Sequence, residues 1–262
     1  MDPTKELKLD IYQPTLAGYK LKMLIYGPPG VGKTTFAATA NMHDLTKEVL
    51  FVNIEGGMLS IADTSKLGMK DPPKVTNMTS MDQLDAIFWY LAKGGHPFKS
   101  VCVDSLSELQ LVNLDFVVNE QMQKKDSKRE SADDIWQDDY GRSTQFIRRV
   151  VRRFRDLPMH VFFTCHDASS QDDKKVETIH PALTPKLRTA VLGYMDVVGY
   201  LYMTTKADSD GKDVPVRRML CRPYSKWIAK DRSPGGKLGT YIDNPTVPIL
   251  IDKIISKGEV TK

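Results

Sequence analysis

One short segment of the chain gathers flexible and rigid residues around a single lysine. Residues 27–35 read GPPGVGKTT and follow the apolar run KMLIY. Glycines let successive backbone N–H groups converge on phosphate oxygens, and the lysine adds positive charge. The spacing fits GxxxxGK[ST], a phosphate-binding loop, in which Lys33 would contact the β- and γ-phosphates and the Thr34 hydroxyl would bind Mg²⁺. The sequence therefore predicts an ATP or GTP site made of Gly27, Pro28, Pro29, Gly30, Val31, Gly32, Lys33, Thr34 and Thr35.

Two carboxylates follow apolar runs elsewhere in the chain. The magnesium-binding aspartate of such sites ends a buried strand, and Asp104 in SVCVDS has that place. Many ATPases carry a glutamate directly after this aspartate to orient the attacking water, but here the next residue is Ser105. Glu55, which ends VLFVNIE, is the best candidate for the base. The alternative for Glu55 is an ordinary charged residue at a strand end.

These residues need a sheet to position them. Continuous apolar runs predict strands that are covered on both faces, as in a parallel sheet. The predicted strands are 22–27, 49–55, 100–105, 160–166 and 196–205, and the predicted helices between them are 34–41, 80–93, 105–122 and 143–157. This alternation predicts an α/β fold with a doubly wound, mostly parallel sheet. A turn-rich segment and a further apolar run after residue 205 predict a C-terminal antiparallel hairpin that extends the sheet.

Composition narrows the class of protein. The chain has 262 residues, 41% hydrophobic and 27% charged, with a net charge of +4. These values are typical of a globular protein, and the small positive charge permits a polyanionic partner without requiring one. Cys102, Cys165 and Cys221 lie apart in apolar runs, which indicates reduced core thiols and excludes a patterned zinc site. We expect an N-terminal segment 1–20 without a signal peptide, one domain over 21–262, and no membrane span.

Taken together, these motifs resemble the core of RecA-like recombinases, and most closely the small phage ATPases of the Sak type. The segments that carry the resemblance are IYGPPGVGKTT, VNIEGG, VCVDSLSEL and GYMDVVGYLY, and it spans about residues 21–245. It implies a magnesium-dependent ATPase that single-stranded DNA stimulates and that assembles with itself as a ring or filament. In that family a polar residue after the next strand senses the γ-phosphate, and His166 follows FFTC at that place. The alternative for His166 is a structural role.

The resemblance also implies where DNA would bind. Two polar segments, 119–142 and 167–190, take the place of the loops that line the DNA channel in RecA-like proteins. Their candidate DNA-binding residues are Lys124, Lys125, Lys128, Arg129, Lys174, Lys175, Lys186 and Arg188. Basic side chains track phosphates, but both segments also contain acidic residues, so solvated loops are the alternative.

Two basic segments complete the set of candidates. In 142–157 apolar residues fall at helical spacing and arginines lie largely on the other side, so this face would contact solvent, a polynucleotide or a neighbouring subunit. Lys230 and Arg232 in KDR resemble a lysine-x-arginine element that some RecA-like ATPases place against a neighbour's γ-phosphate. We expect Arg232 first and Lys230 second to act in trans, and the alternative is a charged loop.

The sequence as a whole predicts an ATP-hydrolysing, RecA-like protein that acts on single-stranded DNA in phage-type homologous recombination or annealing. Its cofactors would be ATP and Mg²⁺, and a single-strand-binding protein is a candidate partner. It would lie in the cytoplasm, that of the host if a phage encodes it. Two other interpretations stay open: a P-loop kinase of a nucleotide or metabolite, and a nucleotide-gated helicase or partner loader.

Overall fold

The computed structural model describes residues 13, 15–16, 18–124 and 127–256, apart from the side chain of Lys66. Within these residues the chain forms ten strands and six α-helices. The strands are β1 (Lys22–Gly27), β2 (Val49–Asn53), β3 (Lys74–Asn77), β4 (Ser100–Asp104), β5 (His160–Gln171), β6 (Glu177–Pro181), β7 (Val197–Ala207), β8 (Asp213–Leu220), β9 (Lys230–Asp231) and β10 (Tyr241–Asp243). The helices are α1 (Lys33–Ala38), α2 (Met81–Lys93), α3 (Leu106–Met122), α4 (Gln137–Arg155), α5 (Pro185–Tyr194) and α6 (Val247–Ile255).

All ten strands belong to one sheet, whose main path runs β10-β8-β7-β1-β5-β4-β2-β3. The six strands from β7 to β3 along this path are parallel to their neighbours. β8 and β10 continue the sheet in antiparallel pairing, β6 pairs with the outer half of β5, and β9 pairs with the start of β7. Because the parallel strands end at one edge, the chain segments that follow β1, β2 and β4 meet there; we call it the carboxyl edge, and the opposite one the amino edge.

Both faces of the sheet are covered, which explains why its strands are continuously apolar. Leu24 and Tyr26 of β1 belong to the core beneath α2, α3, α4 and α5. Met23 and Ile25 of the same strand belong to the core beneath α1 and α6. Successive side chains of a strand point to opposite faces, so a strand covered twice needs apolar residues at every position. The predicted α/β fold with a doubly wound, mostly parallel sheet is confirmed.

The C-terminal hairpin is also confirmed. β7 and β8 pair antiparallel from Tyr200↔Leu220 to Ala207↔Asp213. The turn between them is closed by Asp208, whose carboxylate accepts hydrogen bonds from the backbone N–H groups of Asp210 and Lys212, both at 2.9 Å.

The polar segment 119–142 contains a shorter loop than predicted. The predicted helix over 105–122 is confirmed, since α3 ends at Met122, but α4 begins at Gln137, six residues before the predicted start. The Asp139 carboxylate accepts a hydrogen bond from the Trp136 N–H at 2.8 Å, which caps the first turn of α4. The predicted amphipathic character of this helix is confirmed, since Ile147, Val150, Val151 and Phe154 are buried while Arg148, Arg149 and Arg152 are exposed.

The predicted loop over 167–190 is wrong as well. β5 extends to Gln171 and forms a hairpin with β6, after which α5 begins at Pro185. The outer half of β5 is exposed, so its polar residues lack the apolar pattern that marked the other strands. The edge strand β3, also largely exposed, was missed for the same reason. Within the described residues, no helix is long and apolar enough to cross a membrane.

Candidate nucleotide site

The glycine-rich segment follows β1 at the carboxyl edge, between β5 and β7. Gly27 has no room for a side chain, because an added Cβ would lie 2.2 Å from the Leu201 carbonyl oxygen. Gly32 adopts the left-handed φ of 94°, and an added Cβ would lie 2.7 Å from the guanidinium carbon of Arg217. A side chain at Gly32 would therefore meet both backbone strain and a close contact. These two glycines let the loop turn tightly against the neighbouring strands.

Lys33 lies inside this loop rather than in solvent. Its Nζ donates hydrogen bonds to the carbonyl oxygens of Gly27 at 2.9 Å and Pro28 at 3.0 Å. Burial lowers the pKa of Lys33, and the nearby carboxylates of Glu55 and Asp104 oppose that shift. The amine is thus held at the centre of the loop, where it can exchange carbonyl contacts for phosphate oxygens.

The magnesium candidates Thr34 and Asp104 are in direct contact. The Thr34 hydroxyl donates to Oδ2 of Asp104 at 2.7 Å, and the Thr164 hydroxyl donates to Oδ1. Burial raises the pKa of Asp104, although both hydroxyl donors stabilise its charged form. Hydroxyl and carboxylate oxygens are the hard ligands that Mg²⁺ prefers, and protein sites usually supply only one or two of them beside substrate phosphates. The pair therefore fits this metal.

Glu55 and His166, the candidate base and sensor, contact each other. Glu55 follows the end of β2, and its backbone N–H donates to the Asp104 carbonyl at 3.2 Å. Its carboxylate lies 3.1 Å from Nε2 of His166, and both side chains are about one-third exposed. The His166 backbone N–H donates to the Ser107 hydroxyl at 2.9 Å, and its Nδ1 is buried without a hydrogen-bond partner among the described residues. Two predicted functional residues from separate strands thus meet at the carboxyl edge.

Arg217 reaches the loop from β8, although no sequence motif marks it as a site residue. The strand is anchored beside it, because the Arg217 N–H donates to Oδ1 of Asn244 at 3.2 Å and the Asn244 N–H donates to the Arg217 carbonyl at 2.6 Å. Its contact with Gly32 brings an arginine of the same chain against the phosphate-binding loop. The only sequence signal was a pair of arginines inside an otherwise apolar strand.

Arg129 does not fit the predicted DNA-binding role. Its side chain is 4% exposed and forms an ion pair at 2.6 Å with Asp139, which is 1% exposed. It also donates to the Asp134 carbonyl at 2.7 Å and lies 4.4 Å from the ring centre of Trp136. This cation holds the entry into α4 together and is enclosed away from any phosphate. The prediction for Arg129 is therefore wrong.

The other DNA candidates lie on several elements. Lys124 and Lys128 are exposed between α3 and α4, and Lys125 falls outside the described residues. Lys174 and Lys175 are exposed at the tip of the β5–β6 hairpin, and Lys186 is exposed in α5. Arg188 is partly buried in α5, and burial lowers its pKa.

The structure places Lys230 and Arg232 at the amino edge, far along the sheet from the loop of their own chain. β9 pairs Lys230 with Val198 and Asp231 with Val197, at the start of β7. The Lys230 amine donates to the carbonyls of Leu192 at 2.7 Å and Met195 at 2.5 Å, so it caps the end of α5. The prediction of a freely projecting loop is wrong for Lys230. Arg232 is exposed.

The chain matches a known protein family over most of its length. Residues 19–233 match the sequence pattern of a family described as AAA domain. The chain belongs to the AAA domain family. This AAA domain protein is thus a P-loop ATPase domain, a class that implies nucleotide binding. The phosphate-binding loop, Glu55, Asp104, His166 and Arg217 all lie within the matched region. A search of curated proteins found no match to its sequence.

Two solved structures are similar to this AAA domain protein at low sequence identity. The flagellar accessory protein FlaH from Methanocaldococcus jannaschii is 12% identical, with a TM-score of 0.37 over 78% of this chain and 79% of that chain. The second structure, described as an ATPase domain, is 14% identical, with a TM-score of 0.42 over 81% of this chain and 86% of that chain. At these values neither likeness identifies a ligand or a partner.

Proposed function

We propose that this protein hydrolyses ATP with Mg²⁺ and couples hydrolysis to binding of single-stranded DNA, in phage-type recombination or annealing. The observation that carries the proposal is the course of β5. Its residue His166 contacts Glu55 beside the phosphate-binding loop, and the same strand continues into the exposed hairpin that presents Lys174 and Lys175. One strand thereby joins the nucleotide site to an exposed hairpin tip, where the two lysines follow Asp172 and Asp173.

Each residue at the carboxyl edge has a role in this proposal. Water attacks the γ-phosphorus, its proton passes to the Glu55 carboxylate, and the bond to the β-phosphate oxygen breaks to leave ADP and phosphate. Lys33 offsets charge on the phosphates, while Thr34 and Asp104 would hold Mg²⁺, which neutralises β- and γ-phosphate charge when bound. In this proposal His166 orients the base, from which its Nε2 lies 3.1 Å away, and responds to the γ-phosphate.

The position of Arg232 supports a proposal of self-assembly. An arginine at the amino edge cannot reach the loop at the carboxyl edge of its own sheet, but it would face that loop in a head-to-tail oligomer. Such heterologous contacts close into rings or extend as filaments. We therefore propose a homo-oligomer in which Arg232 completes the neighbour's site.

The steady-state ATPase rate with and without an oligo(dT) strand tests the proposal. We expect hydrolysis that requires Mg²⁺ and rises when the strand is present, together with tighter strand binding when ATP is present, because binding couplings are reciprocal. Hydrolysis that DNA leaves unchanged would contradict the DNA partner. A P-loop kinase would instead transfer phosphate to a small-molecule acceptor and show no dependence on DNA, and a helicase would separate duplexes rather than anneal strands.

A further inference from the structure

Arg217 differs from Lys33 at the carboxyl edge because no described carboxylate balances its charge, whereas Glu55 and Asp104 lie near the Lys33 amine. Its Nε is buried and has no hydrogen-bond partner within the described part of the chain. Burial lowers the pKa of Arg217, and no acid among the described residues opposes that shift. A partly buried guanidinium without a counter-charge is costly, since desolvation is not offset by pairing. The position is therefore suited to an external anion.

The adjacent residue gives an internal contrast. Arg218 points to the other face of the same strand. Its guanidinium donates two hydrogen bonds to the Asp243 carboxylate, at 2.6 and 3.1 Å, and lies 3.9 Å from the ring centre of Tyr241. Arg218 therefore has a complete set of partners within the fold, while Arg217 contacts a phosphate-binding loop instead.

The topology indicates which end of a nucleotide Arg217 would meet. Asp104, Glu55 and His166 lie on β4, after β2 and on β5, all on one side of β1. β8 lies on the opposite side of β1, beyond β7. With the γ-phosphate beside Glu55 and the middle of the phosphate chain in the loop, the nucleoside end points toward β8. Arg217 then lies beside the α-phosphate.

A cavity at this place has the composition of a nucleoside site. It measures about 320 Å³, within the usual range for small-molecule sites, and Arg217 forms part of its wall. Its lining combines the polar residues Thr35, Asn244 and Thr246 with apolar ones such as Met203 and Phe36. These groups suit a ribose and an uncharged base rather than a second chain of phosphates.

We propose that Arg217 is a nucleotide-binding residue of its own chain's site, which contacts the α-phosphate at the nucleoside end. The inference rests on the nucleotide site of the proposed function and does not depend on the DNA partner. Because ADP and ATP share the α-phosphate, Arg217 stabilises both to the same extent. It acts on affinity and has little effect on the chemical step, in contrast to an arginine that contacts the γ-phosphate.

Calorimetric titration of Arg217→Gln with MgADP and with a non-hydrolysable MgATP analogue tests this role. We expect both dissociation constants to rise by about 10-fold to 100-fold, the effect of one charge-assisted hydrogen bond, while kcat changes little and KM rises. Arg217→Lys should retain part of the affinity. Arg218→Ala is the matched control on the same strand, and its nucleotide affinity should stay within about twofold of wild type.

Each outcome separates this inference from the broader proposal. Unchanged ADP affinity in a folded Arg217→Gln protein would overturn the inference, and so would a loss confined to kcat. If the wild-type protein itself fails to bind MgADP and the MgATP analogue, the nucleotide site of the proposed function is overturned instead. Circular dichroism of each variant shows whether a loss of affinity comes from a loss of folding.

Discussion

The polar groups at the two edges of the sheet differ in whether they have hydrogen-bond partners within the fold. At the amino edge the Lys22 amine donates to the carbonyls of Leu157 at 2.7 Å and Met159 at 2.6 Å. The Asp196 carboxylate accepts from the Lys22 N–H at 2.9 Å, and Nδ1 of His160 accepts from the Leu21 N–H at 3.1 Å. These groups find their hydrogen-bond partners inside the fold.

At the carboxyl edge, by contrast, some of the polar groups lack hydrogen-bond partners within the described residues. Among the described residues, His166 Nδ1 and Arg217 Nε are buried without partners, and the Lys33 amine donates to carbonyls of its own loop. Most buried polar groups in folded proteins are hydrogen-bonded, so these two atoms, which lie beside the phosphate-binding loop, need an explanation. At the amino edge, Nδ1 of His96 also lacks a partner, but Nε2 of the same ring contacts the Leu91 carbonyl at 3.0 Å. We infer from the contrast that the amino edge mainly serves stability and that the carboxyl edge serves a ligand.

Arg232 is the expected exception to this division between the edges. It lies at the amino edge and is proposed to act at a neighbour's carboxyl edge. Arg232→Ala should reduce ATP turnover by about a thousandfold or more, the effect of an arginine finger, and leave ATP binding nearly intact. Mixing it with an equally inactive Lys33→Ala protein should restore part of the activity. The exposed Arg222, whose guanidinium donates to the Gly236 carbonyl at 2.9 Å, is the control position. Co-assembly without recovery of activity would exclude action in trans.

Glu55 and Glu48 lie beyond opposite ends of β2, so substitutions at the two positions compare the two edges directly. Glu55→Gln should lower kcat by about a hundredfold, the scale for loss of a positioned base, without weakening MgATP binding. Glu48 lies exposed just before the start of β2, at the amino edge, so Glu48→Gln is a matched control that should turn over normally. Normal turnover by Glu55→Gln would show that another group is the base.

The buried ring of His160 at the amino edge should make the free energy of unfolding depend on pH. Burial lowers its pKa from 6.5 to about 4, so the folded protein keeps this ring neutral. Below pH 6.5 the unfolded chain takes up a proton that the folded one rejects, and stability is lost as the pH falls toward 4. The loss should reach about 3 kcal/mol in the free energy of unfolding. Urea titrations of wild type and His160→Asn across this range should diverge, with a flatter profile for the variant; parallel profiles would contradict the assignment.

The hairpin at the end of β5 should give the smallest effect. Lys174→Gln should flatten the dependence of log affinity for oligo(dT) on log salt concentration by about 0.7, the value for one phosphate contact with a single strand. Lys212→Gln, at the tip of the β7–β8 hairpin, is the matched control and should leave the slope unchanged. Equal slopes for wild type and both variants would remove the β5–β6 hairpin from the DNA surface.

Much of the site could be predicted because parallel strands end at one edge. The loop after β1, Asp104 at the end of β4 and Glu55 after β2 each follow an apolar run, and the fold brings such positions together without further information. The direct contact between Glu55 and His166 has the same origin, since β1, β5, β4 and β2 are neighbours.

The remaining features depend on contacts between distant parts of the chain. Arg217 reaches Gly32 only through the register of β8 against β7, which its own residues do not reveal. Arg129 is closed off from DNA because Asp139 and Trp136 enclose it after α4 has formed. Lys230 is fixed by carbonyls at the end of α5, a helix that the polar character of its surroundings concealed.

Backbone hydrogen exchange of the Glu55→Gln protein, with and without MgATP, tests the division between the two edges most directly. The experiment should be run without DNA, at a concentration where light scattering shows a monomer. We expect MgATP to slow exchange in 27–35, 53–57 and 215–219 at the carboxyl edge, and to leave 20–22 and 230–232 at the amino edge unchanged. Unprotected amides in 27–35, or equal protection at both edges, would contradict this account of the protein.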